Sequence, residues 1–161
     1  MEDIAEKIII GIVIASISSF ITVRLSLRRF RSEKWWERKI DAYSKVIEAF
    51  HHVKVFSDAH LNAESKGKEL PEDHDKEVRR LAKIAHNEID KYADIGSFVF
   101  SKEFYEKLRA YQNESDEAAD LHQDWVGYLL DDNEITKKYL SELIVLAKKD
   151  LQTNEREKHK K

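Results

Sequence analysis

The chain has no cysteine, one proline and only four glycines among its 161 residues. Without thiols there can be no disulfide framework, no thiolate nucleophile, no cysteine zinc site and no palmitoylation; the same absence fits a reducing compartment. With so few helix breakers and with 37% charged residues, a chain rich in Ala, Leu, Ile, Glu and Lys favours long helices. Period-two alternation, internal repeats, glycine-rich phosphate loops, Ser–His–Asp spacings and paired acidic metal motifs are also missing. The length fits one domain plus an anchor.

Charge is unevenly placed behind a net value of −3. Residues 1–23 carry Glu2, Asp3 and Glu6 against Lys7. Residues 24–39 carry Arg24, Arg28, Arg29, Arg31, Lys34, Arg38 and Lys39 against Glu33 and Glu37, and everything after them is acidic overall. Between the first two blocks, Ile8 to Val23 reads IIIGIVIASISSFITV without a charge. Sixteen residues rise about 24 Å as a helix, and snorkelling by Lys7 and Arg24 extends the usable span toward a bilayer core of roughly 30 Å. Its only polar residues are Ser16, Ser18, Ser19 and Thr22, whose hydroxyls can bond back to the preceding turn. A cleaved signal peptide would have a basic start and a small-residue cleavage site after the apolar run; here the start is acidic and VRLSLRRFR follows.

These features predict a membrane helix over 8–27. A seven-residue N-terminus lies outside, and a basic-aromatic juxtamembrane segment at 28–39 faces the cytoplasm, because Arg24, Arg28, Arg29 and Arg31 mark the inner side. Trp35 and Trp36 suit the headgroup level, and the arginines suit anionic lipid headgroups. Gly11, Ala15 and Ser19 stand at i, i+4, i+8, a small-residue ribbon that lets two membrane helices pack closely and predicts a homo-oligomer.

From residue 40 to 153 the spacing predicts an all-α, antiparallel four-helix cytoplasmic bundle, its first helix free to continue from the anchor, followed by a disordered basic tail at 154–161. The first helix spans about 32–63 with a seam of Trp36, Ile40, Tyr43, Ile47 and Phe50. Gly67 and Pro71 punctuate the next connection. A second helix over 73–95 carries Val78, Ala82, Ala85, Ile89 and Tyr92. Phe98-Val99-Phe100 forms an apolar connector and Ser101 an N-cap. A third helix over 102–130 keeps Phe104, Leu108, Tyr111, Ser115, Ala118, His122, Trp125 and Leu129 in rhythm. Asp131-Asp132-Asn133 reads as a turn, and a fourth helix follows over 134–153.

Chemistry-bearing patterns are sparse. Glu48 and His51 have the Glu-x-x-His spacing of di-metal bundles, but no other histidine has an acid three residues before it. No metal and no cofactor are therefore expected. Arg80 and His86, with five residues between them, resemble the Arg-x(4–6)-His signature of HEPN ribonucleases, which are small helical bundles. The resemblance implies His86 as acid/base and Arg80 as stabiliser of a crowded phosphate. Leu81 follows Arg80 where that family often has a polar residue, and the acidic bundle opposes nucleic acid as a partner.

The stretches SEKWWERKIDAYSKVIEAFHHVK and SFVFSKEFYEKL resemble a group of small uncharacterised bacterial single-pass membrane proteins with a juxtamembrane Glu-Lys-Trp-Trp-Glu-Arg-Lys segment. The resemblance implies a bacterial inner-membrane protein; some such proteins accompany phage-defence or toxin-like genes. The resulting expectation is a non-enzymatic, membrane-anchored interaction or effector module that binds membrane lipids, itself and an unidentified protein partner. The alternatives are a tethered HEPN-like ribonuclease using Arg80 and His86, and a small-ligand sensor.

Overall fold

The computed structural model describes the backbone of residues 2–122 and 124–158, and the side chains of residues 11, 14–122 and 124–152. All regular structure among them is helical: α1 (Glu2–Ser65), α2 (Glu72–Ile95), a single 3-10 turn at Gly96–Phe98, α3 (Lys102–Leu121) and α4 (Trp125–Lys158). The chain divides into two compact units, 1–38 and 39–161, and α1 contributes to both.

The first unit is helix alone. Ile14, Ile17, Phe20, Ile21, Val23 and Leu25 are each more than half exposed. Thr22 Oγ1 donates to the Ser18 carbonyl at 2.8 Å, so the helix absorbs this hydroxyl internally. Further on, Arg29 pairs with Glu33 at 2.9 Å and Lys34 with Glu37 at 2.6 Å. Among the described residues no helix is long and apolar enough to cross a membrane. The side chains of Ile8, Ile9, Ile10, Ile12 and Val13, which belong to the span expected at 8–27, lie outside the described residues.

The second unit is a four-helix bundle with antiparallel neighbours. Tyr43 meets Asp150 and Ser57 meets Asp132, which pairs α1 with α4. Lys107–Glu142 at 2.7 Å and Glu114–Lys138 at 2.8 Å pair α3 with α4. Gln112–Asp90 at 2.7 Å pairs α3 with α2, and His60–Asp75 at 3.3 Å closes the ring. The core is aromatic at the end where the chain enters: the Tyr43 ring lies 4.8 Å from Phe100 and 4.7 Å from Phe104, the latter edge-on. Ile89, Leu108, Tyr111, Leu129 and Leu143 continue it, each essentially inaccessible. Such burial stabilises by about 1.5–3 kcal/mol per large side chain.

Helix ends follow local chemistry. Gly67, at φ 60°, lets α1 finish with Lys68 N–H on the Ala63 carbonyl at 3.0 Å and Gly67 N–H on the Glu64 carbonyl at 2.9 Å. Ser101 caps α3 as expected, accepting from Phe104 N at 3.2 Å. In the connector before it, Phe100 is buried while Phe98 is 76% exposed.

Three expectations need correction. The α1 seam is Ala42, Tyr43, Val46, Ala49, Phe50 and Val53, not the Trp36–Ile40–Ile47 register; Ile40 is exposed and Trp36 and Ile47 only half-buried. Both registers share Tyr43 and Phe50, and the small alanines allow the closer helix approach. The third helix does not run to 130. It ends at Leu121, and α4 begins at Trp125, where Asp124 accepts from Gly127 N at 2.7 Å. Asp131-Asp132-Asn133 is not a turn but lies inside α4. Their side chains bond to His122, Ser57 and Asp58, so they do not compete for their own backbone. The helix continues to Lys158, and residues 159–161 lie outside the described ones.

Candidate functional site

The densest polar chemistry in the bundle lies between α1 and α4, where two consecutive residues of each helix face one another. Ser57 and Asp132, both fully buried, are hydrogen-bonded through Ser57 Oγ and Asp132 Oδ2. One residue on, Asp58 Oδ1 accepts from Asn133 Nδ2 at 2.8 Å and lies 3.2 Å from Lys137 Nζ. Its other oxygen accepts from Lys54 Nζ at 2.5 Å. Deeper, Tyr111 Oη and Thr136 Oγ1 are 3.4 Å apart.

The two carboxylates differ in electrostatic setting. Burial opposes ionisation of Asp58, but Lys54, Asn133 and Lys137 outweigh it and hold the carboxyl below its ordinary range. At Asp132 burial wins: the carboxyl is pushed up, with Ser57 and the nearby His86 only partly offsetting the cost. Asp132 Oδ1 has no hydrogen-bond partner among the described residues.

A second group sits where α1, α2 and α4 meet. The His60 ring stands edge-on to Phe56 at 4.6 Å and to Trp125 at 5.5 Å. The Arg79 guanidinium lies 5.8 Å and 5.7 Å from the Phe56 and Trp125 rings. Burial, and then Arg79, push the His60 pKa down. Although His60 Nε2 is 3.3 Å from Asp75 Oδ1, the pair lacks hydrogen-bond geometry. Asp75 accepts from Arg79 Nε instead.

Arg80 and His86 occupy different settings on α2. Arg80 is exposed and makes two 2.8 Å bonds to Glu77, while His86 is half-buried and acts on Asp132. Six residues along a helix separate them by about 9 Å and roughly 120° of rotation. Glu48 and His51 are both exposed, and Glu48 lies 4.0 Å from His52 instead. No group of three or more His, Asp or Glu among the described residues could hold a metal ion. Gly11, Ala15 and Ser19 are exposed on α1, as are Arg24, Arg28, Arg29, Arg31 and Trp35, while Trp36 is half-buried. An open cavity of about 300 Å³ between α3 and α4 is lined by Glu114, Glu117, Asp131, Glu134 and three apolar side chains. Glu114 is taken by Lys138 and Tyr139, and Asp131 by His122.

Sequence reasoning missed the Ser57–Asp132 centre. Its one available signal was Ser57 itself, a polar residue falling on the helical repeat of Phe50 and Val53. Fully enclosed, neither the hydroxyl nor the carboxyl can reach a substrate, and their bond pairs α1 with α4. No family model matches the chain, and neither a curated protein nor a solved structure matches it.

Proposed function

We propose that the chain is a membrane-anchored helical interaction module whose bundle lies at the cytoplasmic face of a bacterial inner membrane. One observation carries the reading: the apolar side chains of the first unit, from Ile14 to Leu25, are more than half exposed along a helix. Apolar surface left in water costs about 25 cal/mol per Å², so this unit needs a cover, and lipid is the cover that also suits its flanks. The acidic start and the Arg24–Arg31 cluster orient it with the bundle inside. Arg24, Arg28, Arg29 and Arg31, with Trp35 and Trp36, supply the headgroup contacts.

An interaction role is preferred over catalysis because the bundle's strongest polar centre is sealed and Arg80 is committed to Glu77. An effector role in phage defence is the concrete form suggested by the resemblance to small bacterial single-pass proteins.

The test is fractionation with fusions to the full chain. The protein should pellet with membranes and resist carbonate extraction, and deletion of residues 2–31 should release it. Alkaline phosphatase fused after Lys161 should be inactive, while a fluorescent protein there should glow. A soluble full-length chain overturns the anchor, and an active phosphatase fusion overturns the orientation.

A further inference from the structure

Ser57 and Asp132 pose a problem in counting hydrogens. Ser57 Oγ is within bonding distance of Asp132 Oδ2 and 3.2 Å from the Val53 carbonyl. A serine hydroxyl has one hydrogen, and an ionised carboxylate has none. With Asp132 ionised, two acceptors would compete for one donor. A carboxylate only 2% exposed would then hold at most a single shared hydrogen bond, because Oδ1 has no partner among the described residues.

Protonation of Asp132 on Oδ2 resolves every contact. The acid O–H donates to Ser57 Oγ, and the Ser57 O–H donates to the Val53 carbonyl. Oδ1 becomes a neutral carbonyl oxygen, far cheaper to bury without a partner than a charged one. We infer that Asp132 is a neutral carboxylic acid in the folded protein, and that its proton is a latch joining α1 to α4 inside the bundle.

The surroundings agree on each side. From α1 the Ser57 hydroxyl bonds to it. From α2 comes His86, whose electrostatic influence opposes the upward shift at Asp132 without prevailing. Tyr111 of α3 and Tyr128 of α4 are held by burial even further from ionisation than ordinary tyrosines, so neither brings charge. Lys54 of α1 and Lys137 of α4 pair with Asp58. Burial raises the Asp132 pKa from 3.8, so the folded state keeps a proton that the unfolded chain has lost. The latch is complete below pH 3.8, persists while the acid stays protonated, and loosens as pH rises through the folded-state value. It makes the grip on α1 proton-dependent, and it does not rest on the membrane reading.

The test uses the full chain in detergent. Infrared difference spectra should show a protonated carboxylic acid band that persists above the pH at which exposed carboxylates ionise, shifts in D2O and vanishes in Asp132→Asn. The asparagine amide can donate to Ser57 in the acid's place, so the fold should survive. The thermal midpoint of the wild type should fall as pH rises through the value at which that band disappears, while the midpoint of Asp132→Asn should stay level there. Ser57→Ala keeps the acid but removes its acceptor, so the band should move to higher frequency. Absence of the band, or a band unmoved by Ser57→Ala, overturns the latch.

Discussion

Tyr43 and Asp150, 107 residues apart, share a 2.5 Å hydrogen bond that ties the entry of α1 into the bundle to the last turns of α4. The same phenol oxygen accepts from the Ser101 backbone N–H at 3.3 Å, at the start of α3. One side chain thus fastens three helices at one end. Burial and the bond to Asp150 raise the Tyr43 pKa well above that of a free phenol, so the hydroxyl stays a donor at any physiological pH.

Replacing Tyr43 by Phe keeps the ring contacts with Phe100 and Phe104 but removes both polar contacts. The expected cost is about 1–2 kcal/mol, because Asp150 is half-buried and water can replace part of the loss. Denaturant midpoints of Tyr43→Phe and of Tyr105→Phe, which loses no side-chain hydrogen bond among the described residues, measure it. Equal midpoints for the two would show that the clasp contributes nothing.

Asp58 should give the bundle an acid-sensitive limb. Its folded-state pKa lies below the ordinary 3.8, so its contribution is present above pH 3.8. It is lost as pH falls through the lower folded value, where the carboxylate gives up Lys54 and Lys137. Asp132 has the opposite sign and weakens the fold as pH rises. Melting curves between neutral pH and pH 3 should show a steeper acid loss in the wild type than in Asp58→Asn. Parallel curves would mean that the three partners of Asp58 do not hold its charge.

Much of the bundle was legible in the sequence because its helices are long and periodic. The α2 seam of Val78, Ala82, Ala85, Ile89 and Tyr92 is buried as spaced, and Phe104, Leu108 and Tyr111 follow suit in α3. The register of α1 was ambiguous because a four-three repeat through Tyr43 and Phe50 fits either isoleucines or alanines between them. Packing chose Ala42 and Ala49, a preference that exists only between helices. The α3–α4 junction was hidden because Leu121-His-Gln-Asp124 contains neither Gly nor Pro, so the apolar rhythm ran across it. The polar centre escaped for a related reason: an Asp-Asp-Asn run ordinarily marks a turn. Only the positions of Ser57 and Asp58 on another helix show that α4 needs those side chains in its interior.

The ribbon of Gly11, Ala15 and Ser19 allows a direct test of self-association. The three residues advance by 40° per step and so share one face of α1. A Cβ added at Gly11 meets nothing within 4 Å. The expected effect of Gly11→Leu is between copies, where a bulky side chain would hold two helix backbones apart. Losing close packing worth about 1.4 kcal/mol would weaken the dimer roughly tenfold. Ile17 lies on the opposite face, more than half exposed, so Ile17→Ala should leave association unchanged. Energy-transfer titration of labelled full-length chains in detergent gives both values. A matched response of the two variants would show that association, if present, uses another face of the helix.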